Sequence, residues 1–330
     1  MKYIDMHCDT LSALIGDQEA ALETNRLCVD ISRLKEAGAA QFFACYINAA
    51  DFGGQDAPWD QGYEKILSMA AYARRAESAD FGIAGSAEHI LELEAQGRSA
   101  GILTVEEGGV LNGRIERLDQ LFRAGIRLVT LTWNYANCIG SPASRERSVM
   151  EAGLTPFGME VVERMNELGM IVDVSHLSDG GFWDCVRRSG KPVAASHSNA
   201  RALCPHPRNL SDEMLRALGE KGGVAGVNFY GVFLKSTGRE NEKNQEKTGR
   251  AGVEDIVRHI KWIMDKAGED AVALGTDFDG FDREYLPAGI NGVQDMEVLW
   301  EAMKRAEITE RQIEKTAYQN VMRVLRECTE

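Results

Sequence analysis

Short apolar runs alternate along this chain with longer stretches in which apolar residues recur every three or four positions. The runs are YIDM (3–6), AAQFFACYI (39–47), AGILTV (100–105), IRLVTLT (126–132), MIVDVS (170–175), PVAAS (192–196), GVAGVNF (223–229) and AVALGT (271–276). Each is bounded by glycine or polar turns, the pattern of strands buried on both faces of a parallel sheet. Between the fourth and fifth runs, LTPFGMEVVERMNELGM offers Thr155 as an N-cap and Pro156 at the first helical position. Val161, Met165 and Leu168 then form one stripe, and Gly169 supplies the stop. Similar periodicity predicts helices over 63–79, 115–124, 212–221 and 253–267.

Eight strand–helix units predict an α/β fold of the (β/α)8 TIM-barrel type. An open doubly wound sheet is the alternative, but no GxGxxG opens a helix after the first run. No shift of composition divides the chain, so one domain over 1–330 is expected, with the helical segment 294–328 packing on the barrel. The stretch KSTGRENEKNQEKTGR (235–250) has no aliphatic residue and follows the seventh run. It reads as a lid-like loop on the C-terminal face, beside loops 49–62 and 133–155.

The 330 residues are 44% hydrophobic, enough for a sizeable core. The balance of 37 basic against 51 acidic residues gives −14, which disfavours nucleic acid and anionic membrane surfaces as partners. No apolar stretch approaches the roughly 18 residues of a membrane span, and no signal-like leader opens the sequence. Seven cysteines without a CxxC pair suit a reducing compartment, so a cytoplasmic protein is expected. A homodimer is expected only because two-fold dimers are the commonest soluble oligomers.

The chemistry stands at the ends of the runs, where barrel active sites are built. The first run ends in His7 and Asp9, the third in Glu106 and Glu107, the fifth in His176, the sixth in His197 and the eighth in Asp277. Residues two apart on a strand point the same way, so His7 and Asp9 can hold one cation while Cys8 turns aside. Two histidines and a glutamate from other strands complete a set of five. That exceeds one tetrahedral ion with an open position, and a shared carboxylate resolves the count. His7, Asp9 and Glu106 would hold one metal, and Glu106, His176 and His197 the other. Spacing alone lets either Glu106 or Glu107 face inward. Histidine with carboxylate suits zinc best, with manganese or iron as alternatives. Two such ions share a water, lower its pKa and polarise a carbonyl, and Asp277 would move the proton. His89 and His259 lie within helical patterns and read as structural; His206 reads as a loop residue facing either solvent or the pocket rim.

IDMHCDT, VEEGG, LTPFGMEVVERMNELGMIVDVSH, SHSNAR, RNL, GTDFDG and QNVMRVL together resemble the renal (membrane) dipeptidase family of zinc peptidases, over nearly the whole chain. The resemblance implies an amidohydrolase-like barrel that cleaves dipeptides, including those with a C-terminal D-residue, by attack of a hydroxide activated between two zinc ions. It implies Glu106 as the bridge, with Glu107 where the family usually has glycine. It places the family's carboxylate-binding arginine on Arg208 and its aspartate near the bridging water on Asp277. After the fourth run the family commonly has a histidine that donates to the carbonyl oxygen; this chain has Trp133, with Asn134 as a substitute donor. Tyr230, Asn228 and Trp59 are further pocket candidates. The competing readings are a dinuclear hydrolase of another amide, cyclic amide or lactone, and a non-catalytic metal-binding barrel.

Overall fold

The computed structural model describes residues 1–15, 21–52, 58–236 and 250–329. Its parallel strands are β1 (Tyr3–Cys8), β2 (Ala39–Tyr46), β3 (Phe81–Ile83), β4 (Ser99–Glu106), β5 (Ile126–Thr130), β6 (Ile171–Asp173), β7 (Val193–Ala195), β8 (Val224–Val227) and β9 (Val272–Leu274). Eight of them close a barrel in the order β1, β2, β4, β5, β6, β7, β8, β9 and back to β1. β3 pairs only with the start of β4, Phe81 opposite Ser99 and Ile83 opposite Gly101. Its sequence FGI offers only Phe81 and Ile83 about a glycine, which does not stand out as an apolar run.

The eight barrel strands are those the apolar runs predict, and their two-sided burial has a direct cause. Ile4, Phe42, Ile102, Leu128, Ile171, Ala194, Val224 and Ala273, one from each, form a buried cluster inside the barrel. Residues of the opposite phase, such as Tyr3, Phe43, Leu103, Val129 and Val172, pack outward under the helices. Val321, Met322, Val324, Leu325 and Cys328 join the inner cluster from helix Asn320–Thr329, which closes the barrel opposite the candidate site. Asn320 Nδ2 docks that helix by donating to the carbonyls of Glu269 and Val272, both at 2.8 Å.

Helix Pro156–Leu168 forms as its sequence dictates. Thr155 accepts from the Gly158 amide at 2.9 Å, and Gly169 turns the chain out at φ +75°. Helix Trp59–Arg75 starts one turn before the predicted 63 and ends before 79. The buried stripe already begins at Trp59 and Gly62, and the residues beyond Ala76 turn the chain into β3. The predicted lid 235–250 falls largely on 237–249, outside the described residues. Among the described residues, no helix is long and apolar enough to cross a membrane.

Candidate metal centre

Ile4 and Met6 face the barrel interior, so simple alternation would turn His7 outward. β1 avoids this with a bulge. Asp5 pairs with Gln41 and Cys8 with Phe43, three steps on β1 against two on β2. The extra residue re-aims His7 and Asp9 to the inside, while Cys8 joins the outer core. Asp5 secures the bulge: its carboxylate accepts from the His7 amide, from the Thr276 amide and hydroxyl, and from Gln41.

Glu106 ends β4 at the centre of the group. Its Oε2 lies 3.6 Å from His7 Nε2, and its Oε1 lies 3.1 Å from His176 Nε2 and 3.4 Å from His197 Nε2. Asp9 Oδ2 and Asp277 Oδ1 stand 3.5 Å and 3.7 Å from His7 Nε2. Among the described residues, three trios have donor atoms within 4.8 Å of one another: His7, Asp9 and Glu106; Glu106, His176 and His197; and His7, His197 and Asp277. The structure thus brings together all six residues that the sequence reading placed at the metal site or beside it. His176 and Asp277 adopt left-handed backbone at φ +65° and +61°, uncommon for side chains of this size.

The donor set fits a cation. Nε2 of His7, Nε2 of His197 and Oδ1 of Asp9 are buried without a hydrogen-bond partner, a costly condition that bound metal relieves. Burial, with the Asp9 and Asp277 charges, pushes Glu106 up to about 8, and burial pushes Asp277 up to about 7. Burial holds His176 and His197 well below the ordinary imidazole value. At His7 the lowering by burial is outweighed by Glu106 and Asp9, which raise it well above that value. A dication in the cluster inverts this balance, stabilising charged carboxylates and neutral imidazoles.

Glu107 faces elsewhere. Its Oε1 accepts from the Gly109 amide at 2.8 Å and from Asn137 Nδ2 at 2.7 Å, and its backbone is left-handed at φ +106°. Arg208 is buried beside the centre, with Nη2 3.4 Å from the His197 carbonyl, Nε unpartnered and the guanidinium 5.6 Å from the Phe233 ring centre. Burial lowers it to about 10, against the pull of Asp277 and Glu106. Trp133 is half-buried, its ring 6.1 Å from His176 and 5.2 Å from Tyr46. Asn134 places Oδ1 3.2 Å from His176 Nδ1, a partner for that ring. Tyr230 packs among Phe233, Phe281 and Tyr285. Asn228 donates to Asp277 Oδ2 at 2.9 Å. Trp59 is buried against Gly109, where any Cβ would meet its ring at 2.8 Å.

Of the histidines set aside, His259 Nδ1 accepts from the Ala200 amide while Nε2 donates to the Leu234 carbonyl. His89 is exposed on a helix, and half-buried His206 packs on Phe233. The sequence reading missed Asp5, Asp173, Ser196 and Gly280. The available signal for Asp5 and Asp173 was an acid inside an otherwise apolar strand, in YIDM and MIVDVS. Gly280 is required because a Cβ there would stand 2.4 Å from Asp9 Oδ2 and 2.5 Å from Asp277 Oδ1.

The family model of the membrane dipeptidases, peptidase family M19, matches residues 1–330. The chain belongs to the membrane dipeptidase family. As a member of M19 it is a hydrolase of the metal-dependent peptidase kind. A Klebsiella pneumoniae protein from the pqqA 5′ region is 37% identical over 228 residues, 67% of this chain and 79% of its own length. Among solved structures, an M19 metallopeptidase named dipeptidase AC superposes with a TM-score of 0.87 at 29% identity, covering 100% of this chain and 99% of its own. A metallopeptidase of Rhodobacter sphaeroides, crystallised with a phosphinate mimic of L-Ala-D-Ala, gives 0.86 at 28% identity and 99% coverage of both chains.

Proposed function

We propose that this M19 member hydrolyses dipeptides, L–D as well as L–L, at two zinc ions bridged by Glu106. His7 and Asp9 complete one ligand set, and His176 and His197 the other. The observation that carries the reading is that Glu106 offers one carboxylate oxygen to each side of a cluster whose imidazole nitrogens at His7 and His197 are otherwise unpartnered. The donor set of imidazole and carboxylate supports zinc, with manganese or iron as substitutes. The Rhodobacter relative's ligand supports acceptance of a C-terminal D-residue.

Bound ions of this kind supply Lewis acidity to a carbonyl oxygen and acidify a water. The chain's own residues do the rest. Asp277, held by Asn228, takes a proton and returns it to the departing amine. Arg208 receives the substrate's terminal carboxylate, whose planar geometry suits a guanidinium with an unpaired edge. Trp133 and Tyr230 wall the pocket, and Asn134 steadies His176. We take the enzyme to act in the cytoplasm as a homodimer, apart from nucleic acid and membrane surfaces. The seven unpaired cysteines favour that compartment, the net charge of −14 disfavours nucleic acid and anionic membrane, and the dimer rests on the commonness of two-fold oligomers.

The test is hydrolysis of a dipeptide panel by zinc-reconstituted protein, with L–L, L–D and C-terminally amidated versions and a chelated control. Zinc-dependent cleavage of free but not amidated dipeptides is expected, and Arg208→Ala should raise KM at least ~10-fold for free dipeptides. No cleavage by protein holding two metals would overturn the dipeptide reading. It would favour the second one, another amide or lactone, which Trp133 supports where the family commonly has histidine.

A further inference from the structure

We infer that Asp173 is a positioning residue that, through Ser196, fixes which nitrogen of His197 carries the proton and so leaves Nε2 free to bind metal. The inference rests on the metal centre proposed above. Asp173 ends β6 fully buried, beneath the cluster. Its Oδ1 accepts from the amides of Ser175 at 3.0 Å and Ser196 at 2.8 Å. Its Oδ2 accepts from the hydroxyls of Thr130 and Ser196, both at 2.6 Å. Ser196 Oγ lies 2.8 Å from His197 Nδ1.

These contacts permit one ordering of hydrogens. A carboxylate only accepts, so the single hydroxyl hydrogen of Ser196 points at Asp173. Of the other two acceptors in reach, Ser175 Oγ is 3.4 Å away and already accepts from the His197 amide, and a turn to His197 Nδ1 would forfeit the bond to Asp173. Ser196 Oγ must therefore accept from His197, which places the ring proton on Nδ1. Nε2 then carries the lone pair, and it is the buried, unpartnered atom 3.4 Å from Glu106 Oε1. The opposite tautomer would leave two oxygens 2.6 Å apart with no hydrogen between them and would aim an N–H at the metal position. Partner groups of this kind also orient the ring and raise its strength as a donor.

Asp173→Asn reverses the order at nearly constant shape. The two amides at Oδ1 require the new carbonyl oxygen there, so the amide NH2 takes the place of Oδ2. Ser196 must then accept from residue 173, turn its hydrogen to His197 Nδ1, and leave the proton on Nε2. Two readouts decide the matter: nitrogen-15 NMR of labelled histidines in the metal-free protein, and zinc stoichiometry and affinity by chelator competition. We expect an Nδ1–H ring for His197 in the wild type, an Nε2–H ring in Asp173→Asn, and about 10- to 100-fold weaker binding of one zinc in that variant. Ser196→Ala should weaken the same ion, and Ser196→Thr, which keeps the hydroxyl, should restore it. An unchanged tautomer or wild-type zinc affinity in Asp173→Asn would overturn the inference. If that variant does not fold, equal zinc affinity in Ser196→Ala and Ser196→Thr would overturn it instead. A wild type that takes up no zinc would overturn the metal centre itself, and this inference with it.

Discussion

Gly280 follows Asp277 by three residues in GTDFDG, and its missing side chain lets Asp9 and Asp277 both approach His7. Gly280→Ala inserts a methyl at 2.4 Å and 2.5 Å from their carboxylate oxygens, so both carboxylates must shift to admit it. We expect kcat/KM to fall on the order of 100-fold with far-ultraviolet circular dichroism unchanged, since an ångström of displacement at reacting groups costs about that much. Wild-type kinetics in this variant would show that the carboxylates do not need their present positions. The adjacent acids Glu106 and Glu107 separate in the same way. Glu106→Gln should lose bound metal, whereas Glu107→Gln should keep two ions per chain, because Glu107 is spent on Gly109 and Asn137. Metal analysis of both proteins decides this, and the reverse result would move the bridge to Glu107.

Among elements, the strands were legible because burial on both faces leaves continuous apolar runs, and helix Pro156–Leu168 because cap, stripe and stop all lie within it. β3 and the β1 bulge were not, since FGI offers only two apolar side chains about a glycine and a bulge exists only relative to a partner strand. The final helix shows how an element far from the chemistry serves it. Asn320 ties it to the carbonyls of Glu269 and Val272 under β9, the strand that leads to Asp277. Asn320→Ala leaves those acceptors unmatched and should lower unfolding free energy by roughly 1–3 kcal/mol, with kcat retained at permissive temperature. Chemical denaturation measures this, and a loss under about 0.5 kcal/mol would mean that apolar packing alone holds the helix.

For the whole molecule, the site sets a pH dependence of stability in the metal-free protein. Glu106 at about 8 and Asp277 at about 7 stand above their ordinary 4.5 and 3.8, so the fold retains protons that the unfolded chain has released. Their contribution is therefore lost as pH rises toward 8. His7, raised above 6.5, adds to the same loss beyond that pH. His176 and His197 are lowered, so they oppose the trend only below 6.5, where the unfolded chain would protonate them. Between pH 6.5 and 8 the metal-free Tm should fall, while the zinc-loaded Tm should not, so the gain on adding zinc grows with pH. Calorimetry of both forms checks this. A gain that shrinks over that window would refute the acidic, metal-relieved cluster.

Sequence alone determined the barrel, the order in which its strands bring imidazoles and carboxylates to one rim, and the identity of the six residues that meet there. Each of those is written locally, as a run of apolar positions or as a side chain at the end of one. Tertiary structure decided what depends on partners distant in the chain. The β1 bulge against β2 turns His7 inward, and the turn to Gly109 and Asn137 takes Glu107 away from the cluster. Asn134 is set against His176, and Ser196 links Asp173 to His197. The physical reason is common to all four. Which way a side chain points, and which hydrogen it holds, is settled by neighbours that folding supplies.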